Sequence, residues 1–125
     1  MLKNEEIKES VKMINRMNIL IFGIGRADIM ASRRNLPKEK IDGLIDDGAV
    51  AEAFGHYFDI KGEEIWEYKT IAMTIEKFRE LNLVIGVAGG EDKAQAIRAI
   101  ATLKKDMILI TDEVAAKKIL ETQND

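Results

Sequence analysis

Leu83-Val84-Ile85-Gly86-Val87-Ala88-Gly89-Gly90-Glu91-Asp92-Lys93-Ala94-Gln95-Ala96-Ile97-Arg98-Ala99-Ile100 is the stretch that decides the fold. An apolar run too short for a membrane span ends in paired glycines, and an alanine-rich segment with apolar residues at helical spacing follows at once. This predicts a buried strand turning tightly into a helix. The glycines let the backbone approach a ligand, the first helical N–H groups lack partners within the helix, and Lys93 falls in or near the first turn. A lysine there opposes the helix dipole, a placement that makes sense with an anion between the two. The same residues also read as a two-glycine turn that merely packs closely, with Lys93 in solvent.

The flanks repeat the alternation. Downstream, Met107-Ile108-Leu109-Ile110 predicts a buried strand, and Thr111-Asp112-Glu113 offers cap and early-helix acids before Val114 to Leu120. Upstream, Thr74 caps a helix through about Leu81 with Ile75 and Phe78 inward, and Thr70-Ile71-Ala72-Met73 reads as a short core strand. Near the start, Ile7, Val11 and Ile14 stripe a helix over Asn4 to Arg16. The run Ile19-Leu20-Ile21-Phe22-Gly23-Ile24-Gly25 has no strict alternation, as in strands buried on both faces. Its glycines fall at the carboxyl edge, the ligand-facing side of open parallel sheets. These elements predict an α/β fold: an open, mostly parallel sheet with helices on both faces. The Gly23-Ile24-Gly25 end, the Gly89-Gly90 turn and the Thr111-Asp112-Glu113 end then open on one edge.

Between these strands lie the charged candidates. Arg26 to Leu36 reads as a loop or short helical turn whose Arg33 and Arg34 either form a solvated surface or grip phosphate through their guanidinium forks. Pro37 suits the first turn of a helix from about Lys38 to Asp47, which Gly48 stops. Ala49 to Asp59 is the least regular extended segment. If extended throughout, it puts Glu52 on one face with Val50, Phe54, His56 and Phe58, where an unpaired carboxylate is expensive and needs a partner or a ligand hydroxyl. The other reading ends or bulges the strand and leaves Glu52 in solvent. His56 is the only histidine, so a histidine-cluster metal site is not expected.

A length of 125 residues suits one domain, and 46% apolar with 33% charged residues is a globular balance. No run approaches the roughly 20 apolar residues of a membrane helix, and the amino terminus lacks the apolar core of a signal peptide. No membrane partner and a cytoplasmic location are therefore the expectations. The absence of cysteine excludes disulfides and thiolate chemistry, and a formal charge of −3 argues against a nucleic-acid-binding surface. An anionic ligand has to be met by a local cluster of cations.

Four stretches taken together carry a resemblance. Gly23-Ile24-Gly25, Ala49-Val50 through Gly55-His56-Tyr57-Phe58-Asp59, Val87 through Ile97, and Leu109-Ile110-Thr111-Asp112-Glu113-Val114-Ala115-Ala116 resemble the effector-binding domain of SorC-type bacterial transcriptional regulators. Ile29 to Asn35 and Val50-Ala51-Glu52-Ala53-Phe54-Gly55 are most similar to the branch that represses glycolytic genes. The resemblance implies a fold related to ribose-5-phosphate isomerases and glucosamine-6-phosphate deaminases. It also implies a phosphorylated sugar effector, fructose 1,6-bisphosphate in the glycolytic branch, and a homo-oligomer whose DNA binding belongs to a helix-turn-helix domain absent from this chain. By the same resemblance Arg33, Glu52 and Lys93 are effector contacts. Glu52 accepts sugar hydroxyls, Arg33 and Lys93 meet phosphate, and the Gly89-Gly90 backbone cradles it. No catalytic residue, metal or cofactor is implied. Residues 1–125 are expected to form only the C-terminal part of such a domain.

Two other functions compete with the sensor. One is a phosphosugar isomerase or deaminase using Glu52, His56, Asp112 or Glu113 as acid or base, and the expectation is against it. The other is an oligomerisation fragment without ligand binding, whose exposed sheet edge and apolar surface invite self-association.

Overall fold

The computed structural model describes residues 4–122. Its strands are β1 (Ile19–Gly23), β2 (Gly25–Arg26), β3 (Ala51–Ala53), β4 (His56–Phe58), β5 (Glu64–Glu67), β6 (Leu83–Val87) and β7 (Ile108–Ile110). Its helices are α1 (Glu5–Arg16), α2 (Ala27–Arg33), α3 (Lys38–Asp46), α4 (Ile75–Glu80), α5 (Ala94–Ala101) and α6 (Glu113–Thr122), with a 3-10 turn over Glu91–Lys93. β1, β6 and β7 form a parallel sheet in the order β1-β6-β7, as the strand–turn–helix reading predicts. The other four strands form an antiparallel sheet in the order β2-β3-β4-β5.

This second sheet corrects the sequence reading in two places. The segment from Ala49 to Asp59 is not one extended strand but a hairpin, in which Ala53 pairs with His56 across Phe54 and Gly55. Both turn residues have positive φ, 40° and 91°, the sense that matches the twist of a two-residue hairpin. Residues on one side of the turn therefore do not share a face with those of equal parity on the other. Thr70 to Met73 forms no strand. It runs irregularly so that the Met73 carbonyl meets His56 Nε2 at 3.3 Å.

Two cores follow from this layout. Ala51 and Ala53 are fully buried together with Ala96, Ile97, Ala99 and Ile100, small residues that let α5 lie close on β3. The same core joins the two sheets through Phe54 at the hairpin tip, which packs against Phe22 of β1 and Phe78 of α4 at centroid distances of 6.0 and 5.3 Å. On the opposite side of the antiparallel sheet, Tyr57 packs with Ala27, Ala31 and Leu44 of α2 and α3.

The parallel sheet departs from expectation on one face. Leu20, Phe22, Val84 and Leu109 point into the core, but Ile19 and Ile21 of β1 and Ile108 and Ile110 of β7 are 48–67% exposed. Neither edge strand is buried on both sides. The helical layer covers the face that carries Leu20, Phe22, Val84 and Leu109.

Phe78 is fully buried and meets Phe22 edge-on at 5.6 Å. Phe78→Ala is expected to lower the unfolding free energy by about 3 to 5 kcal/mol, read as a lower urea midpoint at unchanged slope.

Candidate functional site

Glu52 sits in the middle of β3 opposite Tyr57 on one side and Gly25 on the other, and only 4% of its surface is exposed. Oxygen Oε1 accepts the Gly55 N–H at 2.7 Å and the Arg34 Nη2 at 3.1 Å. Oε2 turns towards Gly25, where a Cβ would stand 3.4 Å away. One oxygen of this buried carboxylate is thus fully used, and the other faces Gly25, where the Met30 side chain fills the space a Cβ would take.

Arg34, directly after α2, is the counter-charge. It donates through Nη1 to the Tyr57 hydroxyl at 3.0 Å and lies over the Tyr68 ring at 4.9 Å. Burial alone would lower its pKa, but the Tyr57 and Glu52 contacts outweigh that and raise it, so the guanidinium stays charged. Burial raises the Tyr57 pKa above 10.0, with the Arg34 contact opposing it. Arg33 points elsewhere: it is exposed on the last turn of α2, and it forms no ion pair among the described residues. The arginine that pairs with Glu52 is therefore Arg34, and the Arg33-Arg34 dipeptide divides its labour by helical phase.

Lys93 closes the 3-10 turn after the paired glycines, and its Nζ donates to the Ile24 carbonyl at 2.9 Å. Ile24 precedes Gly25, so Lys93, Gly25 and Glu52 meet at the carboxyl edge of β1. The glycine bend lies on that edge too, with Gly90 at φ 99° and Gly89 exposed. Its backbone is not wholly free. The Gly90 N–H donates to Asp112 Oδ2 at 2.8 Å, while Oδ1 of the same carboxylate accepts the Ala115 N–H at 2.8 Å and caps α6. An internal carboxylate occupies part of the cradle expected for phosphate, and the straightforward turn-into-helix is interrupted by the 3-10 turn.

Other charges cluster nearby. Arg26 is held by Asp28 at 2.6 Å and Asp92 at 3.2 Å, contacts that raise its pKa. It lines a cleft of about 510 Å³ with Asp28, Val50, Asp92, Gln95 and Lys118, and neither Glu52 nor Lys93 borders that cleft. His56 is not alone as the sequence implies: its Nδ1 contacts Glu64, and Glu67 brings a third potential ligand atom, all within 4.8 Å of one another. His56 Nδ1 and the Glu64 carboxylate already contact each other, so that group has an internal partner without an ion. The residues the sequence reading misses are Arg34 as the partner of Glu52, the Tyr57 and Tyr68 rings around it, and Asp112 at the glycine bend.

An α/β fold that brings a buried carboxylate and a lysine to one sheet edge has the elements a small polar ligand would need there. Residues 1–121 match the family profile described as "Putative sugar-binding domain", and the chain belongs to this sugar-binding domain family of SorC-type transcriptional regulators. It is similar to the central glycolytic genes regulator of Bacillus subtilis, 38% identical over 98% of this chain and 36% of that protein. The protein of the same name from Priestia megaterium is 39% identical over 94% of this chain and 34% of its own length. A crystal structure of a "putative SorC family transcriptional regulator" from Enterococcus faecalis superposes with a TM-score of 0.88 at 38% identity, covering 95% of this chain and 49% of that one. The chain spans about a third of the length of the two glycolytic regulators. Among the described residues no helix is long and apolar enough to cross a membrane.

Removing Arg34 leaves the Glu52 carboxylate buried without a counter-charge. Arg34→Ala is expected to cost about 3 to 5 kcal/mol of stability by chemical denaturation, and Arg33→Ala less than about 0.5 kcal/mol. In an ultraviolet titration one of the two tyrosines is expected to ionise above the ordinary value, and Tyr57→Phe to remove that phase. Because the folded-state pKa is the higher one, the stability Tyr57 contributes is full below about pH 10 and declines as pH rises beyond it.

Proposed function

We propose that this chain is the phosphosugar-sensing part of a transcriptional regulator, with fructose 1,6-bisphosphate as the effector to test first. The observation that carries the reading is the pairing of groups at one edge. Oε2 of buried Glu52 faces Gly25 while Lys93 Nζ reaches the adjacent Ile24 carbonyl. A sugar needs an acceptor for its hydroxyls and a phosphate needs a cation, and a buried carboxylate held by Arg34 presents its acceptor without having to be desolvated on binding.

The three expected contacts then take distinct parts. Glu52 accepts a sugar hydroxyl through Oε2. Lys93, whose present partner is only a neutral carbonyl, transfers its charge to phosphate. Arg34 is committed to Glu52 and Tyr57, and Arg33 points away from this edge, so Arg33 meets a phosphate only if its exposed side chain swings back towards the site. At the glycine bend a phosphate oxygen has to take the Gly90 N–H from Asp112 or bind beside it. The relatives that match over nearly the whole chain are named as regulators of glycolytic genes, which supports a glycolytic bisphosphate over other sugars. DNA binding and assembly are functions of the longer regulator, and the bound sugar is released unchanged.

Calorimetric titration with fructose 1,6-bisphosphate checks this. Lys93→Ala is expected to weaken binding about ten- to a hundredfold, the loss of one charge-assisted contact, and Glu52→Gln to reduce discrimination against bisphosphates lacking ring hydroxyls. Equal affinity of wild type and Lys93→Ala removes Lys93 from the site, and aldose–ketose interconversion above background would replace the sensor with an enzyme.

A further inference from the structure

Glu52 uses its two oxygens unequally. Oε1 accepts hydrogen bonds from the Gly55 N–H and from Arg34 Nη2, whereas Oε2 accepts none among the described residues. Oε2 is not sealed away either: the side-chain polar atom that is both enclosed and without a partner among these residues is Thr111 Oγ1. A carboxylate with only 4% of its surface exposed therefore keeps one unused oxygen at the end of a narrow opening. An acceptor left in that position is costly unless water or a ligand reaches it.

Met30 stands beside that opening. It lies one turn before Arg34, whose N–H donates to the Met30 carbonyl, so the two side chains leave the same side of the helix. Arg34 reaches Oε1, and Met30 reaches the Oε2 side. A Cβ built on Gly25 would stand 2.6 Å from Met30 Cγ, 3.2 Å from Met30 Sδ and 3.4 Å from Oε2, so the thioether and the oxygen share the space this glycine leaves. A carbon that carries a hydroxyl to Oε2 has to enter the same space. Met30 is half-buried, with solvent on its outer side, and its unbranched, flexible chain can turn out of the way.

We propose that Met30 is the specificity-determining residue of the effector site, a displaceable plug that a hexose bisphosphate pushes aside and a three-carbon phosphate leaves in place. The proposal rests on the reading of Glu52 as the hydroxyl acceptor. The end of a short polyol is slim enough to approach Oε2 beside the thioether. A sugar ring brings flanking carbons into the volume that Met30 fills.

Calorimetric titrations of the full chain with fructose 1,6-bisphosphate and with glycerol 3-phosphate test it. Met30→Ala removes the plug and is expected to tighten the bisphosphate about three- to tenfold, the cost of holding one flexible side chain aside. Met30→Leu keeps the volume but branches it, and is expected to weaken the bisphosphate by about the same factor. The affinity for glycerol 3-phosphate is expected to change less than about twofold in both. A merely structural contact would instead move both ligands in the same sense. In wild-type protein labelled at its methionine methyls, the Met30 resonance, assigned by its loss in Met30→Leu, is expected to shift with the bisphosphate and not with glycerol 3-phosphate. That readout decides if a variant loses its fold. A stationary Met30 resonance at saturating bisphosphate, or variants that leave the ratio of the two affinities unchanged, would overturn the plug, while an effect of Glu52→Gln on bisphosphate binding would still uphold the effector reading. No bisphosphate binding by either wild type or Met30→Ala would overturn both, and binding by Met30→Ala alone would uphold the plug.

Discussion

A carboxylate buried inside a small domain has to be neutralised where it sits, and much of this molecule is arranged to do that for Glu52. Arg34 supplies the charge, Tyr57 and Tyr68 supply the walls that hold the guanidinium, and the Gly55 N–H supplies the remaining bond to Oε1. The partners come from three places, so the hairpin, the end of α2 and the segment leading out of β5 are fixed against one another around one ion pair. Replacing such a pair with apolar residues often stabilises a protein, so what this pair supplies is mutual positioning of the elements that carry it more than net stability.

The fold was legible where pattern and chemistry agreed. Continuous apolar runs ending in glycine locate β1 and β6, the alanine-rich stretch after Gly90 locates α5, and Thr74 and Asn4 cap the helices that follow them. The hairpin was harder to see. Its turn is Phe54-Gly55, and a phenylalanine at positive φ carries none of the Asn-Gly or Asp-Gly signal that usually marks a two-residue loop. Phe54 tolerates that backbone because its ring is clamped between Phe22 and Phe78, a tertiary effect no local pattern reveals.

The site was half legible for similar reasons. Glu52 as a costly carboxylate and Lys93 after paired glycines both follow from residue type and position. Which of two adjacent arginines turns inward does not, because it depends on where α2 ends, and a shift of one residue swings a helical side chain by about 100°. An exposed apolar surface was expected of a partial domain, but that it falls on β1 and β7 was not legible: branched apolar residues look the same whether or not anything lies on top of them.

Asp112 divides its two oxygens between the glycine bend and the first turn of the last helix. That carboxylate works as a hinge pin joining two segments 22 residues apart in sequence. An anion that took the Gly90 N–H would free Asp112 Oδ2 while Oδ1 stays on the Ala115 N–H, so the glycine bend and the footing of the final helix share a single carboxylate.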